Sequence, residues 1–265
     1  MTRLGIFSWF SYPGPIEERL KKIKLAGFDA TSLWWDIAGD DKDMLPDLAR
    51  KTGLEIDNIH APFFSPIDPN SFWTDKTAGE DYFNVLISCI DDCKKHDIPS
   101  MVIHITDFLK IPPVTELGLD RVKRLVEYAE NQGINLAFEN LNTSDHLDCI
   151  FQSVDSSRVG FCYDSGHENC SRPGTDYLSQ YGDRLFAVHL HDNFGDDDTH
   201  LLPYDGTVNW NNLKKRLAGC RELDYMTFEV CFNPNHEKSM LYKDMSADDF
   251  LALAYKRAER FLAEI

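Results

Sequence analysis

The chain has 265 residues, 27 Lys and Arg against 44 Asp and Glu, a net charge of −17 and 43% hydrophobic residues. That apolar fraction excludes a disordered chain, and the length suffices to bury a core without disulfide staples. The negative balance argues against a protein that lives on nucleic-acid phosphates or anionic lipid, both of which it would repel.

Short apolar runs alternate with longer amphipathic ones along the whole chain. A strand at 4–10 is followed by a helix at 16–25, a strand at 30–34 by a helix at 43–51, and a strand at 55–60 by a helix at 78–95. The alternation continues with strand 101–105, helix 115–131, strand 136–139, helix 147–151, strand 159–163 and helix 176–181. It ends with strand 185–190, helix 210–217, strand 226–230 and helix 247–263. The strands are compact and apolar, as buried parallel strands are. Gly27, Gly53 and Gly133 each stand just past a helical run and just before a strand, where a left-handed cap is needed. Thr115 and Ser246 stand where N-caps are expected. Eight strand–helix units in about 250 residues predict a single α/β domain over 1–265, a (β/α)8 TIM barrel. The alternative, a doubly wound sheet, carries a Gly-rich phosphate turn after its first strand, and here that stretch reads SWFSYPGPIEE.

The start MTRLGIFSWF lacks the pattern of a signal peptide, and no apolar run of membrane-spanning length occurs. Seven scattered cysteines form no CxxC pair; Cys89 and Cys93, four apart on a helix, read as small core residues. A cytoplasmic protein without membrane partners is expected.

The chemistry gathers at strand ends, where barrel enzymes place catalytic groups. The third strand ends at His60, the fourth at His104, the fifth at Glu139; Asp164 and His167 follow the sixth; His189 and His191 lie on the seventh; the eighth ends at Glu229. Six consecutive strands aim imidazole or carboxylate at one rim, as a metal site requires. Burying Glu139, Asp164 and Glu229 together without a cation would cost several kcal/mol. His96 reads as a solvated helix end, His146 and His236 as residues of polar stretches, 196–198 as a solvated acidic loop tip, and Lys21, Lys22 and Lys24 as a helix face. Among Trp9, Phe10, Trp34, Trp35, Phe63, Phe64 and Trp73 some belong to the core and others, Trp9 and Trp34 first, to a sugar-binding mouth.

The segments FENLN (138–142), VGFCYDSGH (159–167), VHLHDN (188–193), DTHLLPYDGTVNW (198–210) and TFEV (227–230) resemble the xylose isomerase-like barrel superfamily, which holds sugar isomerases and epimerases and also endonuclease IV. The resemblance covers essentially the whole chain. It implies one divalent ion (Zn, Mn or Mg) held by Glu139, Asp164, His189 and Glu229. Glu139 and Glu229 would be the acid/base pair that moves a proton through an enediolate. His60, His104, His167, Trp9 and Trp34 would contact a small polyhydroxy substrate. The endonuclease IV branch implies up to three Zn, with His60, His104, His167, Asp198 and His200 as further ligands, in a phosphodiesterase acting on DNA; the charge of −17 counts against that branch. Tyr204, Asp205 and Gly206 stand where a Gly-Glu-Gly turn is common, which bears on the placing of His200. His191 faces the same side as His189; by match, His189 is the expected ligand. A non-catalytic sugar binder, or a barrel with a structural metal, is the third reading. Relatives of this kind are often homo-oligomers.

Overall fold

The computed structural model describes residues 2–35, 42–171 and 173–263. Eight parallel strands form one sheet: β1 Arg3–Phe7, β2 Ala30–Trp34, β3 Glu55–His60, β4 Ser100–Ile103, β5 Asn135–Glu139, β6 Val159–Asp164, β7 Leu185–His189 and β8 Tyr225–Phe228. Their order is β7-β6-β5-β4-β3-β2-β1-β8. The seam between β7 and β8 is closed just beyond β7: the Leu190 N–H donates to the Thr227 carbonyl (3.0 Å) and the Glu229 N–H to the Leu190 carbonyl (3.1 Å). The result is the expected (β/α)8 barrel.

The helices are α1 Ile16–Ala26, α2 Leu45–Lys51, α3 Ser71–Thr74, α4 Ala78–Lys95, α5 Glu116–Gln132, α6 Asp145–Ser153, α7 Ser165–Ser171, α8 Tyr177–Tyr181, α9 Trp210–Leu217 and α10 Ala247–Ala263. No helix among the described residues is long and apolar enough to cross a membrane. Gly27, Gly53 and Gly133 adopt φ of 115°, 83° and 78°, the left-handed turn that an L side chain resists. Thr115 caps α5 by accepting the Gly118 N–H at 3.2 Å, and Ser246 accepts the Asp249 N–H at 3.1 Å. Two helices escape the periodicity. α3 is a single turn, too short for a repeat, and α7 (SGHENCS) has a polar sequence that buries its first three residues against the barrel rim.

Two apolar layers result. The larger lies between sheet and helices and includes Cys89 and Cys93, both buried. A small one inside the barrel joins Val102, Ala137, Cys162 and Ala187 of four neighbouring strands. Side chains along a strand alternate faces, so the residue two further on points to the same interior. From that small-residue layer the next inward positions are His104, Glu139, Asp164 and His189. The strand period thus raises the chemical groups one layer above a narrow floor, at the C-terminal rim.

Three histidines outside the rim differ from expectation. His146 is 3% exposed and packs edge-on against Trp73 at 4.5 Å, since α6 turns it inward from an otherwise polar stretch. His96 caps the end of α4 with a side chain only 11% exposed, 3.2 Å from Asp43, and is not solvated. His236 caps a 3-10 turn by accepting the Lys238 N–H and sits 2.8 Å from Asp197. Lys21 pairs with Glu17 along the exposed face of α1, as a solvated helix face does.

Candidate metal centre

Glu139 is the hub. Its Oε2 lies 3.3 Å from His60 Nε2 and 3.2 Å from His104 Nε2, and its Oε1 lies 3.1 Å from His189 Nδ1 and 3.4 Å from His167 Nδ1. His189 Nδ1 also lies 2.9 Å from Glu229 Oε2. On the other side Asp164 accepts the His167 N–H (2.7 Å) and lies 3.1 Å from His191 Nε2. Asp198 faces His200 Nε2 at 3.0 Å, His167 Nε2 at 3.3 Å and His191 Nε2 at 3.5 Å. Strands β3 to β8 and the loops that follow them therefore bring all nine positions of the expected set into one cluster.

Backbone carbonyls orient the rings. His60 Nδ1 bonds the Ala61 carbonyl, His167 Nδ1 the Asn140 carbonyl and His200 Nδ1 the Glu229 carbonyl, each at 2.9 Å. A ring nitrogen that donates outward leaves the other nitrogen's lone pair aimed inward. Asn140 clamps the end of β6 by donating to the Asp164 carbonyl and accepting the Asp164 N–H.

His189 and His191 are not alternatives. Both point inward, His189 to Glu139 and Glu229, His191 to Asp164 and Asp198. Gly166 makes room for the second: a Cβ there would lie 1.8 Å from His191 Cε1. Sequence reasoning missed this role, although the Gly between Ser165 and His167 was its signal. The acidic tip also divides. Asp196 and Asp197 turn outward to Lys238 and His236, while Asp198 turns in. The turn at Tyr204, Asp205 and Gly206 is fastened by Asp192, which accepts the Tyr204 N–H (3.0 Å) and the Trp210 indole N–H (2.7 Å). With that fastening His200 still reaches Asp198.

The donor set fits a divalent cation. Ligand atoms of Glu139, Asp164, His189 and Glu229 lie within 4.8 Å of one another, as do those of His60, His104 and Glu139, of Asp164, His167 and His191, and of His191, Asp198 and His200. Among the described residues, histidines supply the ion-pair partners of these four carboxylates; no Lys or Arg does. Several buried atoms lack any hydrogen-bond partner: Glu139 Oε2, both ring nitrogens of His104, His191 Nδ1 and Asp198 Oδ1. Nitrogen and oxygen atoms that converge without bonding one another are what a cation binds.

Without an ion, protons compensate the charge. Burial pushes the Glu139 carboxyl up, but His189 and His104 outweigh it and hold the group well below the usual range. Burial likewise raises Glu229, and His189 and His200 bring it to about 2. Burial pulls the His167 ring down, yet Asp164 and Asp198 push it up to about 10. Burial pulls His189 and His200 down too, yet Cys162, then Glu139 and Glu229, raise His189, and Asp198, then Glu229, raise His200, each well above ordinary histidine. His104 differs: burial prevails over Glu139, so its ring is held below the ordinary value, neutral and free to ligate.

A cavity of about 750 Å³ opens above the cluster, lined among others by Phe7, Trp9, Arg19, Trp34, Phe63, His200 and Glu229. Trp9 and Trp34 therefore do stand at a mouth; Trp34 stacks on His60 with centroids 5.4 Å apart. Of the nine clustered positions, Glu229 and His200 reach the cavity lining, and His60, His104, Glu139 and His167 lie behind it.

Comparison with known proteins agrees with this architecture. Fructoselysine 3-epimerase of Shigella flexneri is 24% identical over 274 residues, 95% of this chain and 98% of that protein. The D-allulose 3-epimerase from Methylomonas sp., solved in complex with D-allulose, superposes with a TM-score of 0.78 at 17% identity, over 98% of this chain and 96% of that one. The IolI protein, solved with a bound zinc atom, superposes with a TM-score of 0.80 at 16% identity, over 99% of both chains. The model of the xylose isomerase-like TIM barrel family matches residues 20–240. The chain thus belongs to the xylose isomerase-like TIM barrel family and has the fold of the sugar 3-epimerases.

Proposed function

We propose that this protein is a metal-dependent isomerase or epimerase acting on a sugar or sugar phosphate. The observation that carries the proposal is the convergence of Glu139, Asp164, His189 and Glu229 on one point where, among the described residues, histidines and no Lys or Arg face the carboxylates. A divalent ion held there, Zn, Mn or Mg, would supply Lewis-acid polarisation of a substrate carbonyl. Glu229, facing the cavity, takes the proton from the carbon beside that carbonyl. The C–H electron pair moves toward the carbonyl oxygen, giving an enediolate. Glu139, after taking a proton from solvent, delivers it to that carbon from the opposite face, which inverts the centre, and loss of the Glu229 proton to solvent completes the cycle. The polar end of the substrate reaches past the cavity lining to His60, His104 and His167, whose rings hydrogen-bond its oxygens, and the Trp9 and Trp34 rings hold the apolar face of the sugar. The similarity to a 3-epimerase along nearly the full chain supports this reading. We place the reaction in the cytoplasm, on the strength of seven free cysteines.

The second reading, a multi-zinc phosphodiesterase, draws on the overlap of further ligand groups around His60, His104, His167, Asp198 and His200. Metal content separates the two: one ion per chain supports the first reading, three zinc ions the second. For the first, carbon-bound proton exchange in D2O is followed across a ketose panel. Glu139→Gln and Glu229→Gln are each expected to slow exchange about 10²- to 10⁴-fold while circular dichroism is unchanged. Wild-type exchange in either variant overturns the assignment.

A further inference from the structure

We propose that Arg19 anchors an anionic oxygen group, carboxylate or phosphate, carried by the substrate at the end remote from its reacting carbonyl. The proposal rests on the isomerase reading and names its substrate class: an acidic or phosphorylated polyhydroxy ketone or aldehyde.

Arg19 lies in α1, and its guanidinium sits over the Trp9 ring, 4.6 Å from the centroid. Both residues line the cavity that Glu229 and His200 floor. The Arg19 Nε and Nη1 atoms are buried and have no hydrogen-bond partner. In a chain with 44 acidic and 27 basic residues, buried Arg121 and half-buried Arg216, unlike half-buried Arg19, find partners. Arg121 donates to the carbonyls of Phe72 (2.6 Å) and Asp75 (2.8 Å), and Arg216 is forked onto Glu168 at 2.6 and 2.9 Å. Glu17, in the first turn of α1, is paired with Lys21 at 2.7 Å. Lys42, which among the described residues is the other Lys or Arg on the cavity lining, is held by Asp92 at 2.8 Å.

A guanidinium cannot shed its proton to escape burial. Donors taken from water without an acceptor cost free energy, which an anionic ligand would restore. The planar fork matches the paired oxygens of carboxylate or phosphate, and the indole face beneath holds it flat. α1 begins at this wall with Gly14, Pro15 and Ile16 on the lining and no side-chain cap, so its positive dipole end faces the same space. A cavity of about 750 Å³ leaves room for a substituent well beyond the reacting carbons.

The test uses the metal-loaded protein and its intrinsic tryptophan fluorescence, since Trp9 and Trp34 line the cavity. Titrations compare D-fructose, D-fructose 6-phosphate and 5-keto-D-gluconate, with inorganic phosphate as a fourth probe. At least one of the two anionic sugars should bind 10-fold or more tightly than fructose. In Arg19→Met that preference should fall to about 1, and Arg19→Lys should keep part of it. The phosphate and carboxylate arms identify which anion is preferred. Equal binding of all sugars by the wild type overturns the proposal. So does a preference that survives Arg19→Met, because the anion would then be bound by the metal. Arg19→Gln replaces Arg19→Met if the latter melts early. Failure of the isomerase reading shows separately, as absent proton exchange in the wild type with every sugar.

Discussion

At Glu139 both carboxylate oxygens face imidazole nitrogens from β3, β7 and the residue just past β4, and the side chain is fully buried. A charge so placed is tolerable only where cations or protons surround it. The residue types were legible from the sequence, because His and Glu at consecutive strand ends are hard to explain otherwise. What one residue does for another was not legible. Gly166 is small because the His191 ring occupies the place of its Cβ, at 1.8 Å. Gly166→Ala must displace a buried ring, so it is expected to cost about 1–3 kcal/mol of stability. It should also weaken metal binding at least 10-fold. Urea denaturation and metal titration check both; a variant as stable and as tightly metallated as the parent would show that the ring is free to move.

At the scale of elements, helices with strong amphipathic repeats were read correctly to the residue, as at Ala78–Lys95, Trp210–Leu217 and Ala247–Ala263. Four strand ends, those of β1, β4, β7 and β8, were read too long, while β2, β3 and β5 end where expected and β6 runs one residue further. The apolar run from 4 to 10 continues past β1 because Trp9, 47% exposed, lines the mouth with Ser8, and Phe10 turns back into the core, after the ladder with β2 has ended. Apolar character marks burial or a ligand wall, and local pattern does not separate them. The start of α5 ties helix to barrel. The Thr115 hydroxyl accepts the Gly118 N–H and donates to the Trp73 carbonyl at 2.6 Å. Thr115→Ala should lower stability by about 1–2 kcal/mol, with activity per folded molecule retained. Thermal melting beside a turnover assay checks this, and an unchanged melting temperature would mean that water replaces both bonds.

At the scale of the molecule, closing the sheet at Leu190 brings β8 beside β7 and carries Glu229 to His189. Metal stabilises the folded state by its affinity for that preformed cluster. At 100 times its Kd the gain is about 2.7 kcal/mol, several degrees of melting temperature in a chain of this size. The sign with pH follows from the rings. His189 and His200 are raised well above ordinary histidine and His167 to about 10, so in the metal-free protein they hold protons at neutral pH. Those protons stabilise the metal-free fold fully below the ordinary histidine pKa, and their contribution fades as pH rises through the raised values. Metal must displace them, so its affinity rises with pH. Chelation followed by addition of Zn, Mn or Mg should raise the melting temperature, and more at pH 8 than at pH 6. Equal shifts at the two pH values would place the ion away from these histidines.

The sequence alone determined the alternation of strand and helix, the barrel that such alternation closes, and the residue types at its rim. It could do so because periodicity and capping are local and leave their mark within a few residues. Only the tertiary structure decided that His189 and His191 both serve the cluster on different sides, that Asp198 turns in while Asp196 and Asp197 turn out, and that Arg19 stands over Trp9 with buried donors unmet. Those facts depend on which side chains meet across distant segments, and burial and charge act through such meetings irrespective of their order along the chain.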